Sequence, residues 1–201
     1  ISKFKNGIYL KSSSFNTLSQ ITANSNNNSG IYLESSSNNQ LLGITANNHG
    51  RINSWVMGFG IFLNQSSNNQ LSGITTTNDT VGVYFESSSL NILSQVNASL
   101  NHITGVDIES NSNNNQFSGI TTNSNYNNMF LNFGIYVYNS SNNQFLNIES
   151  RLNGMPNGAS GLGVYFGLSQ NNTISNMKSN SNKWYGLYID NSPNNTILDS
   201  V

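Results

Sequence analysis

The chain has 201 residues, a net charge of −1 and only 7% charged residues, and it lacks a basic stripe, so we expect no nucleic-acid partner. Cysteine is absent, which excludes disulfides and thiolate metal sites. No stretch reaches the roughly 18 consecutive apolar residues typical of a transmembrane helix, so we expect no membrane span.

In chain order, residues 1–6 read as the tail of a preceding repeat. A unit of the form GIYLESSSNNQLLGITANN then recurs, with its clearest copy at residues 30–48. Eight copies, the last one cut short, begin at Gly7, Gly30, Gly60, Gly82, Gly105, Gly134, Gly163 and Gly186. The spacings between these glycines, 23, 30, 22, 23, 29, 29 and 23 residues, are typical of a solenoid. We therefore predict a single domain over residues 1–201, uncapped, as a segment of a longer array or a filament subunit.

Each unit predicts short strands joined by corners. Ile31 and Leu33 alternate with outward residues, the period of a strand buried on one face. Leu41 and Ile44 lie three apart, which a straight strand cannot bury together, so we expect a bend at Gly43 between two further strands. Stacked copies pair in parallel at about 4.8 Å per coil. The prediction is an all-β, right-handed, single-stranded parallel β-helix, with about eight coils of 22–30 residues and three short strands per coil.

Three columns of equivalent residues run through the copies. One predicted core column is Ile8, Ile31, Ile61, Val83, Val106, Ile135, Val164 and Leu187, and the next is Leu10, Leu33, Leu63, Phe85, Ile108, Val137, Phe166 and Ile189. Nine residues after each glycine stands an asparagine: Asn16, Asn39, Asn69, Asn91, Asn114, Asn143, Asn172 and Asn195. The fifth copy has one extra residue, so Asn115 is an alternative to Asn114. Because stacked amides satisfy one another, we predict a structural Asn ladder.

The GIYL…NN.L..I pattern resembles the repeats of right-handed parallel β-helix proteins of the NosD-like kind, from Gly7 to the end of the chain. Such repeats occur in archaeal and bacterial surface proteins and in carbohydrate-active enzymes, so the resemblance implies the fold and leaves the function open. The resemblance to NosD-like repeats also brings up a role in copper handling. The two histidines, His49 and His102, lie in different coils without ligand spacing, so we expect neither metal delivery nor a cofactor.

Three insertions, within residues 49–59, 123–133 and 151–162, fall at one corner of the predicted rod. They carry Trp55, Met57, Tyr126, Met129, Phe130 and Met155, and the seventh coil ends with Trp184 close by. These side chains either pack the loops onto the rod or bind a ligand, because loops on a rigid scaffold often carry recognition. Trp55, Tyr126 and Trp184 are the candidate binding residues of this group.

The outward position of the first strand forms a second candidate surface. It is occupied by Tyr9, Tyr32, Phe62, Tyr84, Asp107, Tyr136, Tyr165 and Tyr188. Such rings either stabilise the sheet by stacking or form an aromatic track for sugars or a partner, for which Tyr84, Tyr136 and Tyr138 are candidates.

Asp107 interrupts this aromatic series, and Glu86 and Glu109 lie on the same face. We interpret the three carboxylates first as solvated surface charge, then as Ca²⁺ ligands, and then as acid–base groups for glycoside chemistry. Apart from Lys11, several coils away, this face carries no Lys or Arg at its repeat positions, which counts against a lyase acting on uronic acids.

The sequence favours a non-catalytic structural or adhesive β-solenoid of an extracellular surface protein or filament, an adhesin-like module rather than an enzyme. Its units are expected to associate end to end, through the open ends or flanking repeats. The alternative is a polysaccharide-binding or polysaccharide-degrading β-helix, glycosidase-like or lyase-like, with glycans as partners. Extracellular or cell-surface localisation is expected in either case.

Overall fold

The computed structural model of the protein describes residues 1–50, 57–127, 131–154 and 160–201. In these ranges the chain winds as a coil of strands with two parallel sheets of eight strands each. The predicted all-β parallel β-helix is therefore confirmed. No helix among the described residues has the length and apolar character needed to cross a membrane.

Successive strands alternate between the two sheets, so that each strand pairs with its counterpart one coil away. The first sheet has the order β1 (Asn6–Lys11), β3 (Ser29–Glu34), β5 (Phe59–Asn64), β7 (Val81–Glu86), β9 (Thr104–Glu109), β11 (Asn132–Tyr138), β13 (Gly161–Gly167) and β15 (Tyr185–Asp190). The second sheet has the order β2 (Thr17–Asn24), β4 (Gln40–Asn47), β6 (Gln70–Thr77), β8 (Ile92–Asn97), β10 (Gln116–Thr121), β12 (Gln144–Glu149), β14 (Thr173–Lys178) and β16 (Thr196–Leu198).

Each coil thus contributes two strands to the described structure rather than the predicted three. The expected bend is present, because Gly43 within β4 has a left-handed φ of 63° and both Leu41 and Ile44 are buried. The neighbouring coil bends at the same place, where Gly73 has a φ of 65°. Since both coils turn together, their register continues across the bend and the two predicted strands form one bent element.

The two predicted core columns face the interior and stay in register. Ile31 pairs with Ile61, and Leu33 with Leu63, and all four side chains are fully buried. The second sheet supplies the facing side chains, of which Phe117 and Phe145 stack with ring centroids 4.8 Å apart. Burial of these apolar columns between neighbouring coils is the main contribution to stability.

The repeat glycines allow close approach between coils at the start of the first-sheet strands. A Cβ on Gly82 would lie 2.6 Å from the carbonyl oxygen of Gly105 in the next coil. Any other residue would push the coils apart there, which explains the glycine at this position in the first seven copies.

The Asn column forms a hydrogen-bonded ladder at one corner. The Asn69 side-chain amide donates to Oδ1 of Asn91 at 3.1 Å, and the Asn69 backbone N–H donates to the same oxygen at 2.8 Å. Asn39 makes the same pair of bonds to Asn69. In the fifth coil Asn115 occupies this place rather than Asn114, because the extra residue shifts the amide by one position. Three residues earlier, a serine column does the same: the backbone N–H of Ser36 donates to Oγ of Ser66 at 2.9 Å.

A second buried ladder, which the repeat analysis missed, lies ten residues after the first. Its members are Asn26, His49, Asp79, Asn101, Asn125, Asn153 and Asn182. Each backbone N–H donates to the side chain one coil along, as Asn101 does to Oδ1 of Asn125 at 2.9 Å. The constant spacing of ten residues was visible in the sequence, but His49 and Asp79 break the run of asparagines.

Asp79 fills an amide position of this ladder with a fully buried carboxyl group. Its Oδ1 accepts the backbone N–H of His49 at 2.7 Å, while its Oδ2 has no hydrogen-bond partner. Burial raises the pKa of Asp79 to about 9, although the His49 N–H bond opposes the shift. Burial lowers the pKa of the neighbouring His49 to about 4. Asp79 is therefore a neutral carboxylic acid at pH 7 and imitates the asparagine found in other coils.

The first ladder should be structural. Asn69→Leu removes the acceptor of two Asn39 donors, and we expect the free energy of unfolding to fall by roughly 1–3 kcal/mol. Asn68→Leu is the matched control, because Asn68 is exposed and Leu90 already occupies the equivalent position, both with left-handed φ, 58° and 60°. Denaturant unfolding of the two variants measures the difference, and equal losses would contradict a structural role for the ladder.

Asp79 should make stability depend on pH. Its folded-state pKa is raised, so the contribution of the protonated group is present at low pH and is lost as pH rises towards 9. Between pH 6.5 and 9 this group alone should lower the free energy of unfolding by up to about 1.4 kcal/mol per pH unit. His49 titrates in the opposite sense and below this window, since its folded pKa is lowered.

The test is Asp79→Asn, which restores the amide of the other coils. We expect its unfolding temperature to exceed that of the parent at pH 9 and the gap to narrow at pH 6.5. Parallel pH slopes for parent and variant would show that Asp79 does not titrate as its burial implies.

Candidate functional site

The outer face of the first sheet carries a continuous row of side chains that crosses all eight coils. Strand alternation points these residues outward, because their neighbours on either side face the core. This aromatic row comprises Tyr9, Tyr32, Phe62, Tyr84, Asp107, Tyr136, Tyr165 and Tyr188. The rings stack closely on both sides of Asp107: Phe62 and Tyr84 at 4.9 Å between centroids, and Tyr136 and Tyr165 at 5.1 Å.

Two residues further along each strand lies a parallel polar row, formed by Lys11, Glu34, Asn64, Glu86, Glu109, Tyr138, Gly167 and Asp190. A tyrosine of the aromatic row is hydrogen-bonded to the polar row of the next coil at several places. The Tyr9 hydroxyl donates to Glu34, and the Tyr84 hydroxyl donates to Oε2 of Glu109 at 3.1 Å. The Asn64 amide donates to the Tyr32 hydroxyl at 3.2 Å.

This diagonal pairing fails only around the central coils of the described face, where polar groups are left free. Phe62 has no hydroxyl for Glu86, whose carboxylate has no hydrogen-bond partner among the described residues. The Tyr136 hydroxyl has no hydrogen-bond partner among the described residues, and the polar row of the next coil carries Gly167, which has no side chain to offer one. Asp107 lies between these two places and replaces a tyrosine altogether.

Asp107 is held between two tyrosines by strand register. It pairs with Tyr84 on one side and with Tyr136 on the other. Its Oδ1 is inaccessible to solvent and has no hydrogen-bond partner. Burial raises the pKa of Asp107 well above its usual range, and the charge of Glu109 adds to the shift. Asp107 is thus half-buried with one shielded oxygen, which departs from a fully solvated charge, and its role stays a prediction.

The groups around Asp107 are electrostatically coupled. Burial raises the pKa of Glu109, the Tyr84 hydroxyl opposes that shift, and the charge of Glu86 adds to it. The pKa of Tyr84 is also raised, first by burial and then by the nearby carboxylates. Carboxyl groups whose pKa values are raised by burial and by one another's charge are typical of sites that perform acid–base chemistry.

The other sequence candidates lie in different places. Tyr138 joins the central face, with its ring stacked on Tyr136 at 6.1 Å. Tyr126 and Trp184 are exposed at the corner that precedes the first sheet, and within the described ranges no ring contact links them to the central face. Trp55, Met129, Phe130 and Met155 lie outside the described residues.

Two aromatic residues of the face were missed in the sequence. Phe59 stacks on Tyr84 at 5.2 Å, and Phe133 lies 4.8 Å from Tyr136. Both immediately precede a repeat glycine, a position at which the other copies carry Asn, Ser, Val, Thr, Leu or Tyr, so no uniform column marked them.

Metal binding finds no support in the geometry. Within residues 1–50, 57–127, 131–154 and 160–201, no group of three or more His, Cys, Asp or Glu side chains is placed to hold a metal ion. Glu86, Asp107 and Glu109 do not make up such a group, and Ca²⁺ binding by them stays a prediction. A shallow groove of about 500 Å³ lies at the other end of the same face and is lined by Lys5, Asn6, Tyr9, Asn28, Tyr32 and Glu34.

Comparison with known families gives a direct assignment. The family model described as "right handed beta helix region" matches residues 1–147. The chain belongs to this family. The right-handed coil predicted from strand crossovers agrees with it. No curated protein matches the sequence.

Solved structures of two enzymes show the same fold at low identity. A periplasmic alginate epimerase, the AlgG T265N mutant, superposes with a TM-score of 0.81 and 18% identity, over 98% of this chain and 48% of that one. DFA-IIIase from Arthrobacter chlorophenolicus A6 without its lid gives 0.75 and 14%, over 98% and 50%. The same enzyme in complex with DFA-III gives 0.76 and 12%, over 97% and 52%.

The chain spans about half the length of these structures. Because they are carbohydrate-active enzymes, they contradict the prediction of a non-catalytic structural or adhesive solenoid. They favour its alternative, a polysaccharide-processing β-helix. At sequence identities of 12–18%, the structural similarity by itself shows only a shared fold.

We expect Asp107 to make the protein less stable than a tyrosine at the same position would. Asp107→Tyr would complete the aromatic row, and we expect each of its two new ring pairs to add roughly 0.2–1 kcal/mol to the free energy of unfolding. Asp107→Asn is the control, since it removes the charge without adding a ring. Thermal unfolding that ranks the tyrosine variant no higher than the asparagine variant would contradict this interpretation of the row.

Proposed function

We propose that this β-helix binds a polysaccharide along the aromatic row and processes it at Asp107. The observation that carries the proposal is the break in the row, where a half-buried carboxyl group with one shielded, unpaired oxygen stands between Tyr84 and Tyr136. A purely structural row gains nothing from such a group, because an unpaired buried polar atom costs stability. Functional sites are where such costs are retained.

The aromatic rings on both sides of Asp107 support binding of an extended glycan. Phe62 and Tyr84 flank it on one side, and Tyr136 and Tyr165 on the other, each pair stacked in parallel. Because the rings stack face to face along the row, they present apolar edges and tyrosine hydroxyls to a glycan that lies across the coils. A chain lying across the coils would place one internal linkage at Asp107.

The carboxyl groups support acid–base chemistry at that linkage. Asp107, protonated to a higher pH than an ordinary aspartate, is suited to donate a proton to the glycosidic oxygen. Glu86, whose carboxylate has no hydrogen-bond partner in the described structure, is suited to accept a proton from the attacking water. A pair of carboxyl groups on either side of the scissile bond is the usual arrangement for glycoside hydrolysis.

We also propose that the protein acts outside the cytoplasm, where it would meet extended polysaccharides. The periplasmic location of the alginate epimerase is compatible with this. End-to-end association of the rods stays a prediction, and nothing in the geometry of the central face depends on it.

The experiment is a screen for binding and for new reducing ends on a panel of polysaccharides, repeated with Asp107→Asn. Loss of the proton donor should lower turnover by roughly 100-fold or more while binding persists. Activity should also fall as pH rises through the raised pKa of Asp107, since the acid form is required.

Asp199→Asn is the matched control. Asp199 is exposed at the bend of the second sheet, and the preceding coil already carries Asn176 at that position. Full turnover in Asp107→Asn would refute the catalytic assignment. Binding without turnover in the parent protein would reduce the proposal to a glycan-binding face.

A further inference from the structure

We infer that the glycan held at the central carboxylates is neutral, and that this face rejects uronate polymers. The inference rests on the proposed function and adds to it a substrate class. It follows from the distribution of charge on the outer face of the first sheet and from the kinds of hydrogen-bonding group left free there.

The central face is acidic without compensation. From β5 to β13 the acidic side chains of the aromatic and polar rows are Glu86, Asp107 and Glu109, with no Lys or Arg among the described residues of those rows. The described cations lie elsewhere: Lys3, Lys5 and Lys11 in the first coil, Arg151 and Lys178 near or on the second sheet, and Lys183 at a corner.

The nearest cation of the polar row is too distant and already engaged. Lys11 lies 3.3 Å from the Glu34 carboxylate. It is four coils from Asp107, which at about 4.8 Å per coil places it roughly 19 Å away. That separation exceeds the screening length of about 8 Å at physiological ionic strength, so Lys11 cannot neutralise a substrate charge at the centre.

A uronate chain would bring a carboxylate with every sugar to this uncompensated surface. The partial burial of the site weakens screening by salt, so like charges repel strongly there. The protein's own carboxylates already show the effect, because Glu86 and Glu109 each disfavour ionisation of a neighbour. A further negative charge would meet the same penalty.

The free polar groups match hydroxyls. Glu86 offers acceptor oxygens, and the Tyr136 hydroxyl can donate or accept. Sugar hydroxyls supply both donors and acceptors, whereas a carboxylate supplies acceptors alone. A neutral polyol can therefore satisfy this face where a uronate carboxylate leaves the glutamate oxygens unpaired.

The test compares neutral polysaccharides with carboxymethyl derivatives of the same backbone. Galactomannan, xyloglucan and inulin are each measured in both forms by affinity electrophoresis and calorimetry at low and at physiological salt. We expect any neutral polymer that binds to bind at least about tenfold more tightly than its carboxymethyl form at low salt, and the ratio to shrink as salt screens the repulsion.

The double variant Glu86→Gln/Glu109→Gln should bring the two forms to within about threefold, because it removes the repelling charges and keeps the acceptors. Glu149→Gln, on the second sheet, is the control and should leave the ratio unchanged. Equal or tighter binding of the carboxymethyl form by the parent protein overturns this inference alone. Absence of binding to either form overturns the proposed function, and this inference with it.

Discussion

In-register stacking of equivalent residues is the interaction on which the whole molecule depends. Every strand finds its hydrogen-bond partners one coil away, so no coil can fold by itself. The corners need the same support, because their backbone N–H groups would otherwise be buried without acceptors. Side chains of the neighbouring coil supply these acceptors through the serine column and the two ladders. These bonds hold the described polar corners in place in a chain with only 7% charged residues.

The same constraint defines what a functional residue looks like in this fold. Where every position has a preferred residue, a departure is informative. Asp79 departs from its column but keeps one ladder bond, so it acts as a buried stand-in for asparagine. Asp107 departs from the aromatic row and leaves an oxygen unpaired between two rings. The fold accommodates Asp79, because the ladder bond is kept. Asp107 adds nothing to the fold, so we attribute it to the binding of a ligand on that face.

The sequence predicted the coils, the core columns and the bend, because each depends on residue periods that recur eight times. It gave three strands per coil since Leu41 and Ile44 look like separate elements until the neighbouring coil is seen to bend with them. It missed the second ladder because His49 and Asp79 interrupt it. It placed Glu86, Asp107 and Glu109 on one face correctly, but exposure of Asp107 could not be judged without the rings of Tyr84 and Tyr136 beside it. The initial structural interpretation failed because a regular repeat contains no information on what binds its outer face.

The second ladder divides each coil into a part of nearly constant length and a part whose length varies. The first ladder residue follows the repeat glycine by nine positions, or by ten in the fifth coil. The second ladder residue follows the first by ten positions. All other variation, from three to eleven residues, falls between the second ladder and the next glycine. These variable segments run directly into β5, β11 and β13, beside Phe59 and Phe133 of the candidate face. Residues can thus be inserted beside the candidate face, by evolution or by design, without changing the position of any ladder residue.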